Sequence, residues 1–271
     1  MKELSYYKQK DIIPLEDYTI YFQIGKGGQS KVYYAKDNKN GISVAIKVSN
    51  DESFTNTFIK ETEYMSNCSD PKILKNVSVL KKGLIDKKER IYYAMELAEE
   101  GTLHDYISCI EKPFPEFVVR FYVKQILDAL EVVHNKGYSH NDLKLENLLL
   151  DKDFNIKLTD FGCITPILTK QKNKGFMGAS SSQQYVAKVV GSEYYIAPEL
   201  YQGGYPDGRN DLFGLGVCIF VMLYGFPPFN KATIMDPLFK LLFREKKSEF
   251  WKIIGKKSGH VIANDLKDLI D

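Results

Sequence analysis

The stretch Tyr138-Ser-His-Asn-Asp-Leu-Lys-Leu-Glu-Asn-Leu-Leu-Leu150 is the most informative part of this chain. It places a carboxylate, an ammonium group and an amide close together, at Asp142, Lys144 and Asn147, and then continues into three leucines. A second carboxylate follows eighteen residues after the first, in Asp160-Phe-Gly162. A carboxylate to orient a hydroxyl, an amide and a further carboxylate to hold Mg²⁺, and a lysine for a moving phosphate are the groups that phosphoryl transfer requires.

The composition indicates a globular chain without a large charge imbalance. Its 271 residues allow one large domain or two small lobes, and its 44% hydrophobic content is enough for a sizeable core. The net charge of +2, with acidic and basic residues interspersed, argues against nucleic acid as a partner. The cysteines are widely spaced without a Cys-x-x-Cys pattern, so we interpret them as free thiols in a reducing compartment.

Neither a secretion signal nor a membrane span is evident. Residues 1–8 lack an apolar signal core. The longest apolar run, Leu215–Phe229, is interrupted by Gly216 and Gly225 and is shorter than the roughly 18 residues of a membrane helix. These features predict a soluble, intracellular protein with a cytoplasmic location.

Short β-branched and aromatic segments, separated by glycine and asparagine, predict strands in the first third of the chain. These segments are Tyr18–Ile24, Val32–Lys36, Ser43–Val48 and Ile91–Leu97. Asp37-Asn-Lys-Asn-Gly41 is typical of a hairpin turn, because glycine readily adopts positive φ. Phe54–Ser66 contains no Gly or Pro and predicts a helix.

The remainder of the chain is predicted to be mainly helical. Apolar residues recur at three- and four-residue spacing over Val119–Val133, and Asp211–Tyr224 is apolar nearly all round, which predicts an amphipathic helix and a buried helix. Leu148–Leu150 and Ile156–Leu158 flank a small hairpin, and the polar segment Lys170–Gln184 predicts a mobile loop. A strand-rich front and a helix-rich back, with polar motifs between them, predict two lobes around a cleft.

A glycine-rich turn lies between two predicted strands, in Ile24-Gly-Lys-Gly-Gly-Gln-Ser-Lys-Val32. Glycines there would let the backbone approach phosphate oxygens, although a simple glycine-rich hairpin would show the same pattern. Dinucleotide binding is disfavoured, because its glycines open a helix whereas Lys31–Lys36 predicts a strand.

Val44-Ala-Ile-Lys47 places a lysine inside an apolar strand. Burial of that ammonium is costly unless a carboxylate pairs with it, the alternative being a strand-edge lysine whose amine reaches water. The following helix offers two partners, Glu61 and Glu63. We favour Glu61, because it places Met65 one turn further on the same helix face, where packing against the core is expected.

These segments resemble, in order and spacing, the motifs of the protein kinase family. The family's His-Arg-Asp-Leu-Lys-x-x-Asn, Val-Ala-Ile-Lys and Asp-Phe-Gly motifs match the segments above. Its Gly-Thr-x-x-Tyr-x-Ala-Pro-Glu motif matches Gly191-Ser-Glu-Tyr-Tyr-Ile-Ala-Pro-Glu199. A lysine two residues after Asp142 and the ending Gly225-Phe-Pro-Pro-Phe229 look closest to Ser/Thr kinases of the calmodulin-dependent or AMP-activated type.

The resemblance implies an α+β fold in two lobes, a small antiparallel β-sheet N-lobe with one helix and a larger, mainly helical C-lobe. Residues 1–17 would be an N-terminal extension and residues 18–271 the kinase domain. Within this domain the N-lobe would cover about residues 18–95, the hinge about 96–101 and the C-lobe about 102–271. The C-terminal end is shorter than is usual in the family.

The resemblance also implies ATP and Mg²⁺ as cofactors and a protein Ser/Thr hydroxyl as substrate. Asp142 would orient the hydroxyl, and Lys144 would stabilise the γ-phosphoryl group. Lys47, held by Glu61, would grip the α- and β-phosphates. No regulatory partner can be read from the sequence.

In the implied nucleotide site, Met95 gates a back pocket, and the Glu96 carbonyl and Ala98 amide face the adenine edge. The full set of implied ATP-binding residues is Ile24, Gly25, Lys26, Gly27, Gly28, Gln29, Ser30, Lys31, Val32, Ala45, Lys47, Met95, Glu96, Ala98 and Leu149. Of these, Val32, Ala45 and Leu149 would enclose the ring. Asn147 and Asp160 would hold Mg²⁺ through oxygen ligands.

On the substrate side, Ser192 stands where the family has Thr and keeps a hydroxyl able to bond Asp142 and Lys144. Glu146 would attract a basic residue upstream of the target hydroxyl. Thr102 stands where basophilic kinases often place a second acid, so we expect that preference to be weak.

Asn141 departs from the family, which usually has Arg at this position to bind a phosphate on the activation loop. Asn lacks the charge and the bidentate fork of a guanidinium. We therefore expect activity not to require phosphorylation of that loop. A second departure is the early end of the chain, which would leave Glu199 buried without its usual Arg partner and would lower the stability of the lobe.

Two alternatives to a Ser/Thr protein kinase remain. A pseudokinase that binds nucleotide as a scaffold would explain Asn141 and Gln29, but such proteins usually lose one of the residues matching Lys47, Asp142 or Asp160, and all three are present. A small-molecule kinase is disfavoured by the segment that ends in Ala-Pro-Glu, which looks shaped for a peptide.

Overall fold

The computed structural model describes residues 12–110, 113–167, 193–244, 246–259 and 267–268. The chain divides into two compact units. The first contains the described residues of the stretches 1–100 and 150–162, and the second those of 101–149 and 163–271. The predicted loop Lys170–Gln184 and the candidate Ser192 lie outside the described residues.

An antiparallel sheet forms the main part of the first unit, with the spatial order β1-β2-β3-β4-β6-β5. Its strands are β1 (Ile13–Pro14), β2 (Tyr18–Lys26), β3 (Ser30–Asp37), β4 (Ser43–Ser49), β5 (Lys81–Ile85) and β6 (Lys88–Glu96). In the turn after β3 the Asp37 carboxylate accepts a hydrogen bond from the Lys39 amide, and Gly41 adopts φ +72°. The four predicted strands are present, with ends shifted by a few residues.

The two faces of this sheet carry different side chains. One face is an apolar core that includes Ile46 and Tyr92. Side chains alternate along a strand, and directly paired residues on neighbouring strands share a face. The pairs Val32–Lys47, Lys47–Tyr93 and Ala45–Met95 in the β3–β4 and β4–β6 registers therefore lie on the other face.

Helix α1 (Thr55–Ser66) follows a 3₁₀ turn whose cap is the Asp51 carboxylate, which accepts from the Ser53 amide at 2.9 Å. The helix buries Glu61 and Met65, which are 0% and 1% exposed. The shared face predicted for these two residues is confirmed, and it brings a carboxylate inside the first unit.

The second unit is mainly helical, as predicted. Its helices are α2 (Leu103–Cys109), α3 (Glu116–Asn135), α4 (Pro198–Tyr201), α5 (Arg209–Tyr224), α6 (Pro237–Phe243) and α7 (Lys247–Ser258). The remaining strands along the chain are β7 (Tyr138–Ser139), β8 (Leu148–Leu150), β9 (Ile156–Leu158) and β10 (Thr165–Pro166). Within the second unit, β7 pairs with β10 in antiparallel register.

Helix α5 is buried over most of its surface, which agrees with its apolar sequence. It ends at Gly225, where φ is +76° and the amide donates to the Val221 carbonyl. A Cβ placed on Gly214 would lie 3.1 Å from the carbonyl oxygen of Leu143. The glycine therefore allows the helix to pass directly against the stretch that carries Asp142.

The expectation of a buried, unpaired Glu199 is wrong. Glu199 lies in the first turn of α4 and is exposed. Its carboxylate remains hydrated and therefore imposes no burial cost on the second unit.

The four cysteines are free thiols. Among the described residues, no helix combines the length and the apolar character needed to cross a membrane.

Candidate active site

The glycine-rich turn joins β2 to β3 and is held by a residue that the sequence did not single out. The Gly27 amide donates to the Ser30 carbonyl at 2.8 Å, which closes the turn. Asn50, directly after β4, donates from Nδ2 to the carbonyls of Gly27 and Gly28, at 3.2 and 3.1 Å, and from its amide to the Gln29 carbonyl. The tip of the turn is thus fastened to the neighbouring strand.

Lys47 makes its ion pair with Glu61 and not with Glu63, which is exposed. The Lys47 ammonium donates to both carboxylate oxygens, at 2.8 and 2.7 Å. It also lies 5.7 Å from the centre of the Phe58 ring, on the buried face of α1. The alternative of a lysine that reaches water is excluded, since Lys47 is only 8% exposed.

Asp160 is the third partner of this lysine, at 3.0 Å from its ammonium. Burial alone would lower the pKa of Lys47, but the negative charges of Asp160 and Glu61 raise it well above its usual value. Burial raises the pKa of Glu61 even though the Lys47 charge opposes that shift. Two carboxylates therefore share one firmly protonated ammonium.

The residues around Asp160 rest on α1. Asp160 itself adopts φ +65°, an uncommon value for a residue with a side chain. The buried Phe161 ring lies 4.6 Å from that of Tyr64, and a Cβ on Gly162 would lie 2.6 Å from Thr57 Cγ2. A side chain at Gly162 would therefore have to displace the Thr57 side chain.

The predicted adenine-side residues of the first unit come mainly from adjacent strands. Ala45 and Met95 are direct partners in the β4–β6 register and lie on the same sheet face as Lys47. The Glu96 carboxylate is fixed by the Lys75 amide at 2.8 Å and the Lys157 ammonium at 3.0 Å. This leaves only the backbone of Glu96 for the role predicted for it.

Ile24 and Lys26 lie in the last part of β2, and Gly25, Lys31 and Val32 lie in the β2–β3 register beside the turn. Ala98 follows β6. Leu149 belongs to the second unit, where it forms an isolated bridge with Thr102.

In the second unit, Asp142, Lys144 and Asn147 form one cluster. The Lys144 ammonium donates to Asp142 Oδ2 at 2.6 Å. Asn147 Nδ2 donates to the same oxygen at 3.1 Å and to the Asp142 carbonyl at 2.8 Å. The Asp142 carboxylate is therefore oriented by two side chains from the same short stretch.

Asp211, at the start of α5, accepts hydrogen bonds from the backbone that leads to Asp142. Its carboxylate accepts from Ser139 Oγ and from the amides of His140 and Asn141, and it lies 2.8 Å from His134 Nε2. Burial would raise the pKa of Asp211, but the contact with His134 and the other donors outweigh that effect and lower it. These contacts give Asp211 a structural role, because they fix the backbone directly before Asp142.

Asn141 is occupied by neutral partners. Its Nδ2 lies 2.7 Å from the Cys163 carbonyl and 2.9 Å from Thr165 Oγ1, and its Oδ1 accepts from Asn210 Nδ2 at 2.9 Å. Asn141 also adopts φ +66°. Asn210 was missed in the sequence, because nothing in the pattern of α5 indicates that its amide would reach Asn141.

Of the substrate-side candidates, Glu146 and Thr102 are among the described residues. One carboxylate oxygen of Glu146 is buried without a hydrogen-bond partner among the described residues. Thr102 caps α2, where its hydroxyl accepts from the Asp105 amide at 3.0 Å. Threonine carries no negative charge that could bind a basic residue of a peptide, and its hydroxyl is used in this cap.

Each of the two units offers an oxygen ligand of the kind that a hard cation prefers. Asn147 uses its NH₂ group on Asp142, which leaves the amide oxygen as the group able to ligate a cation, and Asp160 supplies a carboxylate. No group of three or more His, Cys, Asp or Glu side chains that could hold a metal occurs in the described part of the chain. Mg²⁺ commonly takes one or two protein oxygen ligands together with substrate phosphates, so Asn147 and Asp160 are each of a ligand type that fits it.

Comparisons with known proteins identify the same family over most of the chain. The family model described as protein kinase domain matches residues 18–271. Maternal embryonic leucine zipper kinase of Danio rerio is 35% identical over 239 residues, which cover 86% of this chain and 32% of the relative. CBL-interacting protein kinase 26 of Oryza sativa subsp. japonica is 31% identical over 264 residues, covering 95% and 48%.

CBL-interacting serine/threonine-protein kinase 20 of Arabidopsis thaliana is 29% identical over 246 residues, covering 89% of this chain and 52% of the relative. The chain thus spans between about a third and about half of the length of these curated relatives.

Proposed function

Because the chain belongs to the protein kinase domain family, we propose that it is a Ser/Thr protein kinase that transfers the γ-phosphoryl group of Mg²⁺-ATP to a protein hydroxyl. The observation that carries the proposal is the Asp142 carboxylate, fixed by the Lys144 ammonium at 2.6 Å and by Asn147. Lys144 two residues after Asp142 favours Ser or Thr over Tyr as the acceptor.

Within this proposal, Asp142 orients the substrate hydroxyl and accepts its proton, and Lys144 stabilises charge on the group in transfer. Lys47 binds nucleotide phosphates while Glu61 holds its side chain. Asn147 and Asp160 would hold Mg²⁺, which would neutralise charge on the phosphates. The alternative of a pseudokinase finds no support, because Lys47, Asp142 and Asp160 are all present.

The experiment that tests the function is phosphate transfer from Mg²⁺-ATP to a peptide library with Ser, Thr or Tyr acceptors, read by mass spectrometry. Wild type is compared with Asp142→Ala and with Asp128→Ala, which removes a partly exposed carboxylate paired with Lys124 on α3. We expect Asp142→Ala to lose at least about a hundredfold in rate and Asp128→Ala to match wild type. Equal transfer by wild type and Asp142→Ala would contradict the assignment.

If wild type gives no transfer but ATP still raises its melting temperature, the chain is a nucleotide-binding module and the proposed reaction is wrong. Transfer to Tyr peptides alone would contradict the Ser/Thr assignment while leaving the kinase proposal in place.

We further propose that Glu146 contributes a modest preference for a basic residue upstream of the acceptor. The support is the position of Glu146 four residues after Asp142, in the stretch that resembles the family's catalytic loop. In the same library, Glu146→Gln should reduce the preference for Arg by about threefold to tenfold and leave peptides without Arg unchanged. An unchanged preference would contradict this role.

We also propose an intracellular, cytoplasmic location, which four free thiols and a requirement for ATP support.

A further inference from the structure

Tyr93 lies beside the Lys47–Glu61 ion pair and is not among the residues implied for the candidate site. It is the direct partner of Lys47 in the β4–β6 register, so the two side chains lie on the same face of the sheet. Tyr93 is 0% exposed, and its ring meets that of Phe58 edge to face at 5.7 Å. The phenol is therefore enclosed between the lysine strand and α1.

The Tyr93 hydroxyl makes no hydrogen bond of standard geometry to any described residue, although it is buried. A buried polar group without a partner destabilises the folded state, which makes its presence here unusual. Burial and the negative charge of Glu61 raise the pKa of Tyr93 well above its usual value. The hydroxyl is therefore protonated and is available as a donor next to a carboxylate.

The protons of Lys47 explain why such a donor would be needed. An ammonium group has three N–H bonds, and here two go to the oxygens of Glu61 and one to Asp160. If Lys47 binds two phosphate groups of a nucleotide, only one N–H remains for the protein. Even if Lys47 gives up its bond to Asp160, it must also give up one of its two bonds to Glu61. One oxygen of the fully buried Glu61 carboxylate then loses its lysine donor.

We propose that Tyr93 is a positioning residue that donates its hydroxyl to this oxygen of Glu61 when Lys47 turns to the nucleotide phosphates. The inference rests on the proposed kinase function. Tyr93 thereby keeps Glu61, and with it α1, in place during nucleotide binding. Without nucleotide the hydroxyl has no hydrogen bond of standard geometry to a described residue, so its removal should not lower stability.

The test measures binding of Mg²⁺-ADP and of adenosine to wild type and Tyr93→Phe by calorimetry, together with melting temperatures with and without ligand. Phenylalanine keeps the ring and its contact with Phe58, so the variant is expected to fold. The matched control is Tyr92→Phe, which removes the same hydroxyl one residue away, from the opposite face of the sheet.

We expect Tyr93→Phe to bind ADP about tenfold more weakly, the effect of one hydrogen bond to a charged group, and to bind adenosine as wild type does. Its melting temperature without ligand should equal or exceed that of wild type, and its rise on adding ADP should be smaller. Tyr92→Phe should leave both affinities unchanged.

Unchanged ADP affinity in Tyr93→Phe would overturn the inference and leave the proposed function intact. Equal weakening of ADP and adenosine would also overturn it, because that result indicates distortion of the site and no role toward phosphate. Failure of wild type to bind either ligand would overturn both the inference and the proposed function.

Discussion

The side-chain amide of Asn141 donates a hydrogen bond to the carbonyl oxygen of Cys163 at 2.7 Å. This bond joins the stretch that carries Asp142 to the segment that follows Asp160-Phe-Gly162. Thr165 Oγ1 lies 2.9 Å from the same nitrogen. Kinases usually have at this position an arginine that binds a phosphate on the activation loop. This chain has a neutral amide there, and its NH₂ group already donates to a backbone carbonyl.

The first prediction concerns control by phosphorylation. Replacement of Ser180, Ser181 and Ser182 together by Ala should leave the transfer rate unchanged, because Asn141 has no positive charge for a phosphate to bind. Asn141→Ala should instead lower the rate by about tenfold, through loss of its hydrogen bonds to Cys163 and Thr165. The rates are measured on protein whose phosphorylation state is known from mass spectrometry.

A large loss of activity in the triple variant would mean that a loop phosphate acts through some other cation. If the triple variant and Asn141→Ala both lose activity, the hydrogen bonds of Asn141 do not make phosphorylation of the loop unnecessary.

The second prediction concerns acid stability. The pKa of Asp211 is lowered in the folded chain, so its ionised form contributes stability that is fully present above the unfolded value of 3.8 and is lost as pH falls below it. Asp211→Asn should therefore reduce the free energy of unfolding by about 3 kcal/mol at neutral pH. Urea unfolding across a pH series should show this difference shrink below about pH 4. A difference that is constant with pH would contradict ionisation as its source.

The third prediction concerns the contact between α5 and Leu143. Gly214→Ala should destabilise the protein by about 2 kcal/mol and lower the rate, because its Cβ would lie 3.1 Å from the Leu143 carbonyl oxygen. Gly216→Ala is the matched control on the same helix, since a Cβ there meets nothing within 4 Å. That variant should be neutral or more stable by about 1 kcal/mol. Similar stability of the two variants would show that α5 can move away from the stretch.

The fourth prediction concerns the glycine-rich turn. Asn50→Ala removes the two side-chain hydrogen bonds to the Gly27 and Gly28 carbonyls, so the turn should sample more conformations. We expect KM for ATP to rise by about threefold to tenfold, with a smaller change in kcat. Asn67→Ala, at the end of α1 on the surface, removes a comparable hydrogen bond to the Glu63 carbonyl and should change neither. An effect on kcat alone would contradict a role in nucleotide binding.

Sequence patterns were sufficient for elements that bury most of their side chains. Asp211–Tyr224 was predicted as a buried helix and occurs as Arg209–Tyr224, because nearly every side chain of this helix enters the core. The strand around Lys47 was equally clear, since its neighbours are apolar. The choice of Glu61 over Glu63 also followed from helix geometry, through the position of Met65.

Elements with little buried surface were missed. Strand β5 pairs with one neighbour only and leaves Leu84 68% exposed, so its sequence shows no core pattern. Helices α2 and α6 have seven residues each, too few for a 3.6-residue period to be recognised.

The contacts of Asn50, Asn210 and Tyr93 could not be predicted for a different reason. Each contact depends on which residues of separate segments become neighbours. A shift of one residue in the register of a strand would change the partners of every residue in it. The motif residues were found because the family has a known spacing, whereas no motif assigns a role to these three residues.

The donors that reach Asp211 from three other segments have a consequence for heating. They come from the end of α3, from β7 and from the stretch that leads to Asp142, and they converge on one buried carboxylate. Loss of any one leaves that charge less compensated, so the next is lost more easily. A warmed sample should therefore contain intact and unfolded molecules in changing proportion, with few in which the stretch has loosened alone.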